Sequence, residues 1–329
     1  MSIKVQMAVG PAMTDEQLAF IREMGVKWLF LNVPVSQCDY DSLMRIQERY
    51  GRFDLRVSDV ACPALQKNPA IDLNLPGRDE QIDLYIRHIQ NAAKAGIPIV
   101  SVAWQPNGIL RTGRAPGRYT RGGTSFYADM AEINARGLSN GRVFSEQEIW
   151  DNFEYFLKRV IPVCEENSIR MALHPNDPPV ACMAGVPSLI YNTECYRRAF
   201  ALAKDSPALA MKLCVGCWLE AGSAFGDLMS DIREFCEKDK IVCVHFRNVS
   251  GQMPYFEETL AEDGYADMHA IMKQFVSCGY QGLMSIDHAF AGYPSMGGEL
   301  GSAAYPTGYL KGLLHAVQRE LGVPRAIDD

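Results

Sequence analysis

RMALHPNDPP (170–179) joins a short apolar run to a histidine and then to a proline-rich turn. The run is too short for a helix and lacks the polar alternation of a half-exposed strand, so it reads as a strand buried on both faces that stops at His174. The same pattern recurs along the chain. Apolar runs lie at 4–9, 28–33, 55–61, 99–104, 170–174, 209–215, 241–247 and 282–287. Between them lie amphipathic segments. TDEQ (14–17) and SEQE (145–148) have the capping-box form, in which a hydroxyl and an acid or amide three residues on satisfy free backbone N–H groups. Gly25, Gly96 and Gly279 stand between a helical pattern and the next strand, where a left-handed turn favours a residue without Cβ. The strongest helical pattern, 78–95, puts Ile82, Tyr85, Ile86, Ile89 and Ala93 on one face.

Eight strand-then-helix units with no shift in composition predict a single (β/α)8 TIM barrel over residues 1–329. An open dinucleotide-binding sheet would need a glycine-rich turn after its first strand, and VGPAMTD does not supply it. Two connections are too long to be plain loops: a cap insertion at 105–144 after the fourth strand and a shorter one at 175–190 after the fifth. Both leave C-terminal strand ends, the face on which barrel enzymes build their sites. Residues 105–123 carry Arg111, Arg114, Arg118 and Arg121, five glycines and no acid, which suits either a solvated basic loop or a mobile cap that draws in an anion.

Composition narrows the partners. Hydrophobic residues make up 48% and charged residues 22%, ordinary for a globular protein, and the formal charge is -7. No Lys/Arg block stands out, which argues against nucleic acid and anionic membranes. Ten cysteines without paired spacing predict reduced thiols. With no signal-like N-terminus and no apolar run of about 18 residues, the expectation is a cytoplasmic protein acting on a small molecule.

The chemistry lies at the strand ends. The fifth strand ends in His174, the sixth carries Cys214, the seventh ends in His245 and the eighth in Asp287. In a closed barrel these ends are neighbours, so four groups of metal-ligand type meet at one mouth. Two imidazoles, a thiolate and a carboxylate suit a divalent transition ion such as Mn, Fe or Zn. Cys214 and Cys217 have C-x2-C spacing, but on a strand of period two they would face opposite ways, which argues against a shared zinc or redox pair. His88, His269 and His315 fall in helical patterns and read as surface or packing residues. His288 follows Asp287 and is open to a catalytic or supporting role. The remaining cysteines read as small core residues.

These strand ends resemble the mannonate dehydratase family, whose members are barrels related to the xylose-isomerase-like sugar isomerases. The carrying motifs are HPNDPP (174–179), where the family has HPDDPP, LCVG (213–216), VHFRN (244–248) and DH (287–288). RDEQIDLYIRHIQNAAKAGI, WQPNGILRT and GYLKGLL add weaker similarity. The resemblance implies a Mn2+-dependent (or Fe2+-dependent) hydro-lyase that dehydrates D-mannonate to 2-keto-3-deoxy-D-gluconate, with His174, Cys214, His245 and Asp287 as metal ligands. It further implies Arg111, Arg247, Asn248 and Trp104 as contacts to an anionic sugar acid, and His288, Tyr305 and Tyr309 as acid–base candidates, since a proton must leave C2 and hydroxide must leave C3. The sequence departs from the family at Ser285 and Ile286, which replace Arg-Pro, and near Ala304, one residue before Tyr305. A sugar isomerase or epimerase on the same barrel is the second expectation, and a non-catalytic sugar-binding barrel the third. Isomerases of this type coordinate metal with several carboxylates, and the single carboxylate among the four ligands favours dehydration. Homo-oligomerisation is compatible with the sequence.

Overall fold

The structure, a computed structural model, describes residues 3–288 and 298–324. Its strands are β1 (Lys4–Val9), β2 (Trp28–Asn32), β3 (Arg56–Ala61), β4 (Ile99–Ala103), β5 (Gly113–Pro116), β6 (Thr124–Asp129), β7 (Arg170–His174), β8 (Cys182–Met183), β9 (Val186–Pro187), β10 (Leu209–Cys214), β11 (Ile241–His245), β12 (Asn248–Val249), β13 (Tyr255–Thr259) and β14 (Leu283–Ser285). The helices are α1 (Asp15–Glu23), α2 (Tyr40–Gly51), α3 (Pro63–Gln66), α4 (Pro69–Asp72), α5 (Arg78–Lys94), α6 (Met130–Ala135), α7 (Glu146–Glu166), α8 (Thr193–Leu202), α9 (Val215–Ala221), α10 (Leu228–Glu237), α11 (Met268–Ser277) and α12 (Gly298–Glu320).

The expected barrel is present. Parallel strands close in the order β1-β14-β11-β10-β7-β4-β3-β2. All eight expected runs became its strands, with ends shifted by at most two residues. Thr14 and Ser145 both form the full capping box, and Gly25, Gly96 and Gly279 all have positive φ.

Contacts within the chain group into two compact units: residues 1–7, 110–136 and 213–329, and residues 8–109 and 137–212. In the second unit, β2, β3, β4, β7 and most of β10 carry a core of Val, Leu and Ala side chains. Within that core Lys212 donates from Nζ to Asp59 Oδ2 (2.7 Å) and Ser101 Oγ (2.6 Å), and Ser101 donates to Asp59 Oδ1 (3.1 Å). In the first unit, β11 and β14 pair in register, with His245 opposite Ser285.

Three expectations change. The 105–144 segment contains the hairpin β5–β6 and helix α6. β6 also pairs with β13, so a second antiparallel sheet runs β12-β13-β6-β5. Its first two members, β12 and β13, come from residues after β11, a second insertion with no signal in the local sequence pattern. The buried face of α5 is Ile82, Tyr85, His88, Ile89 and Ala92, which brings His88 into the core. Cys217 lies in α9, because the strand ends at Cys214; the period-two argument for Cys217 therefore fails, although both thiols are buried.

Candidate metal centre

Each expected ligand sits where a barrel strand runs out. His174 closes β7, and its Nδ1 lies 2.7 Å from the Pro175 carbonyl; the tautomer that donates this bond carries its lone pair on Nε2. Cys214 closes β10 and His245 closes β11. Asp287 follows β14 by two residues. Its Oδ1 lies 3.0 Å from His245 Nδ1, and Cys214 Sγ lies 3.7 Å from its Oδ2. Cys214, His245 and Asp287 thus gather a thiol, an imidazole and a carboxylate in the first unit, with Cys214 and His245 buried. A cation bound at about 2.0–2.3 Å by nitrogen, sulfur and oxygen needs donors at this mutual spacing, so the set fits a divalent transition ion.

The first unit adds a chain of alternating charge behind Asp287. Arg247 donates from Nε to Asp287 Oδ2 (2.9 Å) and pairs through Nη1 with Glu220 Oε1 (2.7 Å). Arg111 reaches Glu220 Oε1 at 3.3 Å and donates from Nε and Nη2 to Glu258 Oε1 at 3.0 and 2.9 Å. His288 Nδ1 lies 2.8 Å from the same Glu258 oxygen. Glu220, Glu258, Arg111 and Arg247 are all buried, and isolated they would be costly; alternation is what makes the burial tolerable. A Cβ on Gly216 would overlap the Arg247 guanidinium, so the glycine in LCVG keeps space for that side chain.

The fields follow from this arrangement. Burial alone would raise the Asp287 carboxyl, but His245, His288 and Arg247 outweigh it and hold the group well below the ordinary carboxylate range. Burial likewise opposes ionisation of Glu258, and His288, Arg111 and Arg247 reverse it. For His288, burial disfavours the imidazolium, yet Asp287 and Glu258 lift it to about 9. His288 thus lies between two carboxylates that favour its protonated form. Arg247, Glu258, Ile286, His288 and Pro306 line one pocket.

Other expected site residues fare differently. Arg111 is saturated by Glu220 and Glu258. Asn248 spends its whole amide on backbone: Nδ2 donates to the Ala261 and Ala266 carbonyls, and Oδ1 accepts from the Val249 and Ala266 N–H groups. It therefore corrects from substrate contact to a brace for the insertion after β11. Trp104 is buried against Phe153 and Phe156, with ring centroids 5.0 and 5.4 Å away; its Nε1 has no hydrogen-bond partner among the described residues. Tyr305 is exposed, accepting from Arg121 Nη1 (3.0 Å) and donating to Glu262 Oε1 (2.5 Å). Tyr309 is half-buried, and burial raises its phenol. Of the basic loop, Arg111 and Arg121 are paired with acids, while exposed Arg114 and Arg118 lie over the Phe126 and Tyr119 rings, so two of the four arginines are neutralised. Glu220 and Glu258 went unnoticed in the sequence. The available signal was indirect: buried arginines require buried acids.

The profile of the family described as D-mannonate dehydratase (UxuA) matches residues 123–322. Mannonate dehydratase of Streptococcus agalactiae is 27% identical over 325 residues, covering 89% of this chain and 91% of its own. That of Thermotoga neapolitana is 28% identical over 299 residues, covering 80% and 81%. The crystal structure of mannonate dehydratase from Streptococcus suis superimposes with a TM-score of 0.88 at 24% identity, over 100% of this chain and 99% of that one. With the matched profile spanning more than half of its length, the chain belongs to the D-mannonate dehydratase family, metal-dependent hydro-lyases that dehydrate a sugar acid.

Proposed function

We propose that this protein dehydrates D-mannonate to 2-keto-3-deoxy-D-gluconate, with Mn2+ or Fe2+ held by His174, Cys214, His245 and Asp287. The observation that carries the reading is the meeting of Cys214, His245 and Asp287 in the first unit, with Asp287 Oδ1 3.0 Å from His245 Nδ1 and Oδ2 3.7 Å from Cys214 Sγ; His174 closes β7 in the other unit. Transfer of the C2 proton to a general base builds up negative charge next to the carboxylate, and a divalent cation when bound would stabilise that charge as it develops. The chain supplies the rest. Arg247 fixes the Asp287 carboxylate by its fork, and Glu220 holds the Arg247 fork in turn. His288, kept protonated by Asp287 and Glu258, donates a proton to the departing C3 hydroxyl. The loss of hydroxide as water and tautomerisation of the enol then complete the 2-keto acid. All ten cysteines are free thiols, which supports a reducing compartment such as the cytoplasm. Among the described residues no helix is long and apolar enough to cross a membrane.

The test is incubation of Mn2+-loaded protein with D-mannonate, with assay for 2-keto acid. Turnover is expected, together with loss of bound metal in Cys214→Ala. Fully loaded protein that leaves D-mannonate intact but dehydrates another hexonate would overturn the substrate assignment; fully loaded protein silent on every hexonate would overturn dehydration.

A further inference from the structure

The inserted sheet β12-β13-β6-β5 lies wholly within the unit formed by residues 1–7, 110–136 and 213–329, and its two faces carry different chemistry. Side chains alternate along a strand, and the register fixes which of them share a face. Glu257 of β13 stands opposite Tyr127 of β6, Tyr127 stands opposite Gly113 of β5, and Ser125 of β6 stands opposite Ala115. Tyr255, Glu257, Ser125 and Tyr127 therefore share one face with Gly113 and Ala115. Phe256, Glu258 and Phe126 take the other, where Glu258 and Phe126 meet His288. The first face takes no part in the proposed dehydration.

That face is hollow. Ala115, Gly117, Ser125, Tyr127, Tyr255 and Glu257 line a cavity of about 140 Å³, room for a head group of a few heavy atoms. Two of its walls are the Tyr127 and Tyr255 rings, with centroids 6.3 Å apart and planes at 40°. Small residues on and after β5 leave space for them. A Cβ on Gly113 would come within 3.3 Å of the Tyr127 ring, and one on Gly117 within 3.1 Å of Glu257 Oε2 and 3.3 Å of Ser125 Oγ.

Glu257 supplies the charge. Tyr255 donates its hydroxyl to Glu257 Oε1 at 3.0 Å and so holds the carboxylate beside its own ring, while Oε2 is buried and has no hydrogen-bond partner among the described residues. The nearby arginines are engaged elsewhere: Arg114 lies over Phe126 on the opposite face, Arg118 lies over Tyr119, and Arg121 pairs with Glu262 and Asp263. No cationic side chain among the described residues pairs with Glu257. A half-buried carboxylate without a counter-charge is costly, and a poorly hydrated cation between two electron-rich ring faces would offset that cost.

We propose that this cavity binds a small organic cation with a methylated ammonium head, with the Tyr127 and Tyr255 rings against the head group and Glu257 as the compensating charge. The chemistry excludes the nearest alternatives. One carboxylate and two ring faces offer too few oxygens for Ca2+ or Mg2+. A sugar acid would bring a second negative charge against Glu257. A methylated ammonium carries its charge on an apolar surface, gives up little hydration on entry and needs no hydrogen-bond acceptor, which suits a carboxylate oxygen that acts through its field.

The test uses the full chain with choline as the probe, followed by saturation-transfer NMR of the ligand. Saturable binding with a dissociation constant of about 1–10 mM is expected, with transfer strongest to the trimethylammonium protons. The uncharged carbon isostere of choline, in which a tert-butyl group replaces the trimethylammonium, is expected to bind at least about fivefold more weakly. Glu257→Gln and Tyr127→Leu are each expected to weaken choline at least about fivefold, and Glu257→Gln to erase the preference over the isostere. Circular dichroism checks that each variant is folded, and Tyr255→Leu, at an exposed position, replaces Tyr127→Leu if that variant is not. Absence of saturable binding, equal binding of choline and its isostere, or unchanged choline binding in a folded variant overturns the proposal.

Discussion

Arg247 donates from Nε to Asp287 Oδ2 at 2.9 Å, and its Nη1 lies 2.7 Å from Glu220 Oε1. One planar group thus orients a candidate ligand carboxylate and is itself oriented by a buried acid. Lysine has the charge but not the fork, so Arg247→Lys is expected to weaken Mn2+ binding by about 10–100-fold while the protein remains folded. Competition with a fluorescent chelator measures it. Unchanged affinity would show that Asp287 needs no such support.

Gly216 tests the same contact from the other side. Any Cβ there collides with the Arg247 guanidinium, so Gly216→Ala is expected to copy the Arg247→Lys metal phenotype. Helix propensity works the opposite way, since alanine is about 1 kcal/mol better than glycine in a helix interior. A variant that is more thermostable and retains full metal affinity would mean that Arg247 has room to move.

The Lys212–Asp59–Ser101 group is a buried ion pair with one hydroxyl. Lys212→Met leaves the Asp59 charge without its cation and is expected to cost about 3–5 kcal/mol in denaturant unfolding. Replacing both members, as Lys212→Met with Asp59→Leu, is expected to recover most of the loss, because the desolvation of both charges disappears together. Additive single effects in that double-mutant cycle would argue that the two side chains act independently.

The parts read correctly from sequence depend on local signals. A doubly buried strand is a short apolar run, a capping box is a four-residue pattern, and residues at strand ends in a closed barrel are brought together by topology. Hence the eight barrel strands could be placed in order, while the metal-ligand role of His174, Cys214, His245 and Asp287 is a proposal that their strand-end positions support. The parts missed depend on tertiary pairing. Glu258 lies on β13, which gains its partner from β6, about 130 residues earlier in the chain, and no local pattern announces such a sheet. Asn248 looks like a substrate contact because it sits beside Arg247, yet the turn that wraps it uses every polar atom it has. The buried face of α5 holds His88 and Ala92 where the apolar spacing pointed to Ile86 and Ala93, a small rotation that periodicity alone does not resolve.

Asp72 gives a prediction in which the sign depends on pH. The residue ends α4 with its side chain buried, and Oδ2 has no hydrogen-bond partner among the described residues. Desolvation raises its carboxyl well above the ordinary value, opposed by the Gln105 backbone N–H. The folded protein therefore holds this proton more tightly than the unfolded chain does. The contribution of Asp72 is fully favourable below the unfolded value of about 3.9, and is lost as pH rises through the folded value. Asparagine has the same shape and cannot ionise. Asp72→Asn is therefore expected to stabilise the protein by about 1–3 kcal/mol near pH 8 and by little near pH 4. Denaturant midpoints of both proteins at the two pH values decide the matter: an equal gain at both would mean that the carboxyl is neutral throughout, and a loss near pH 8 would mean that its negative charge is stabilised where it stands.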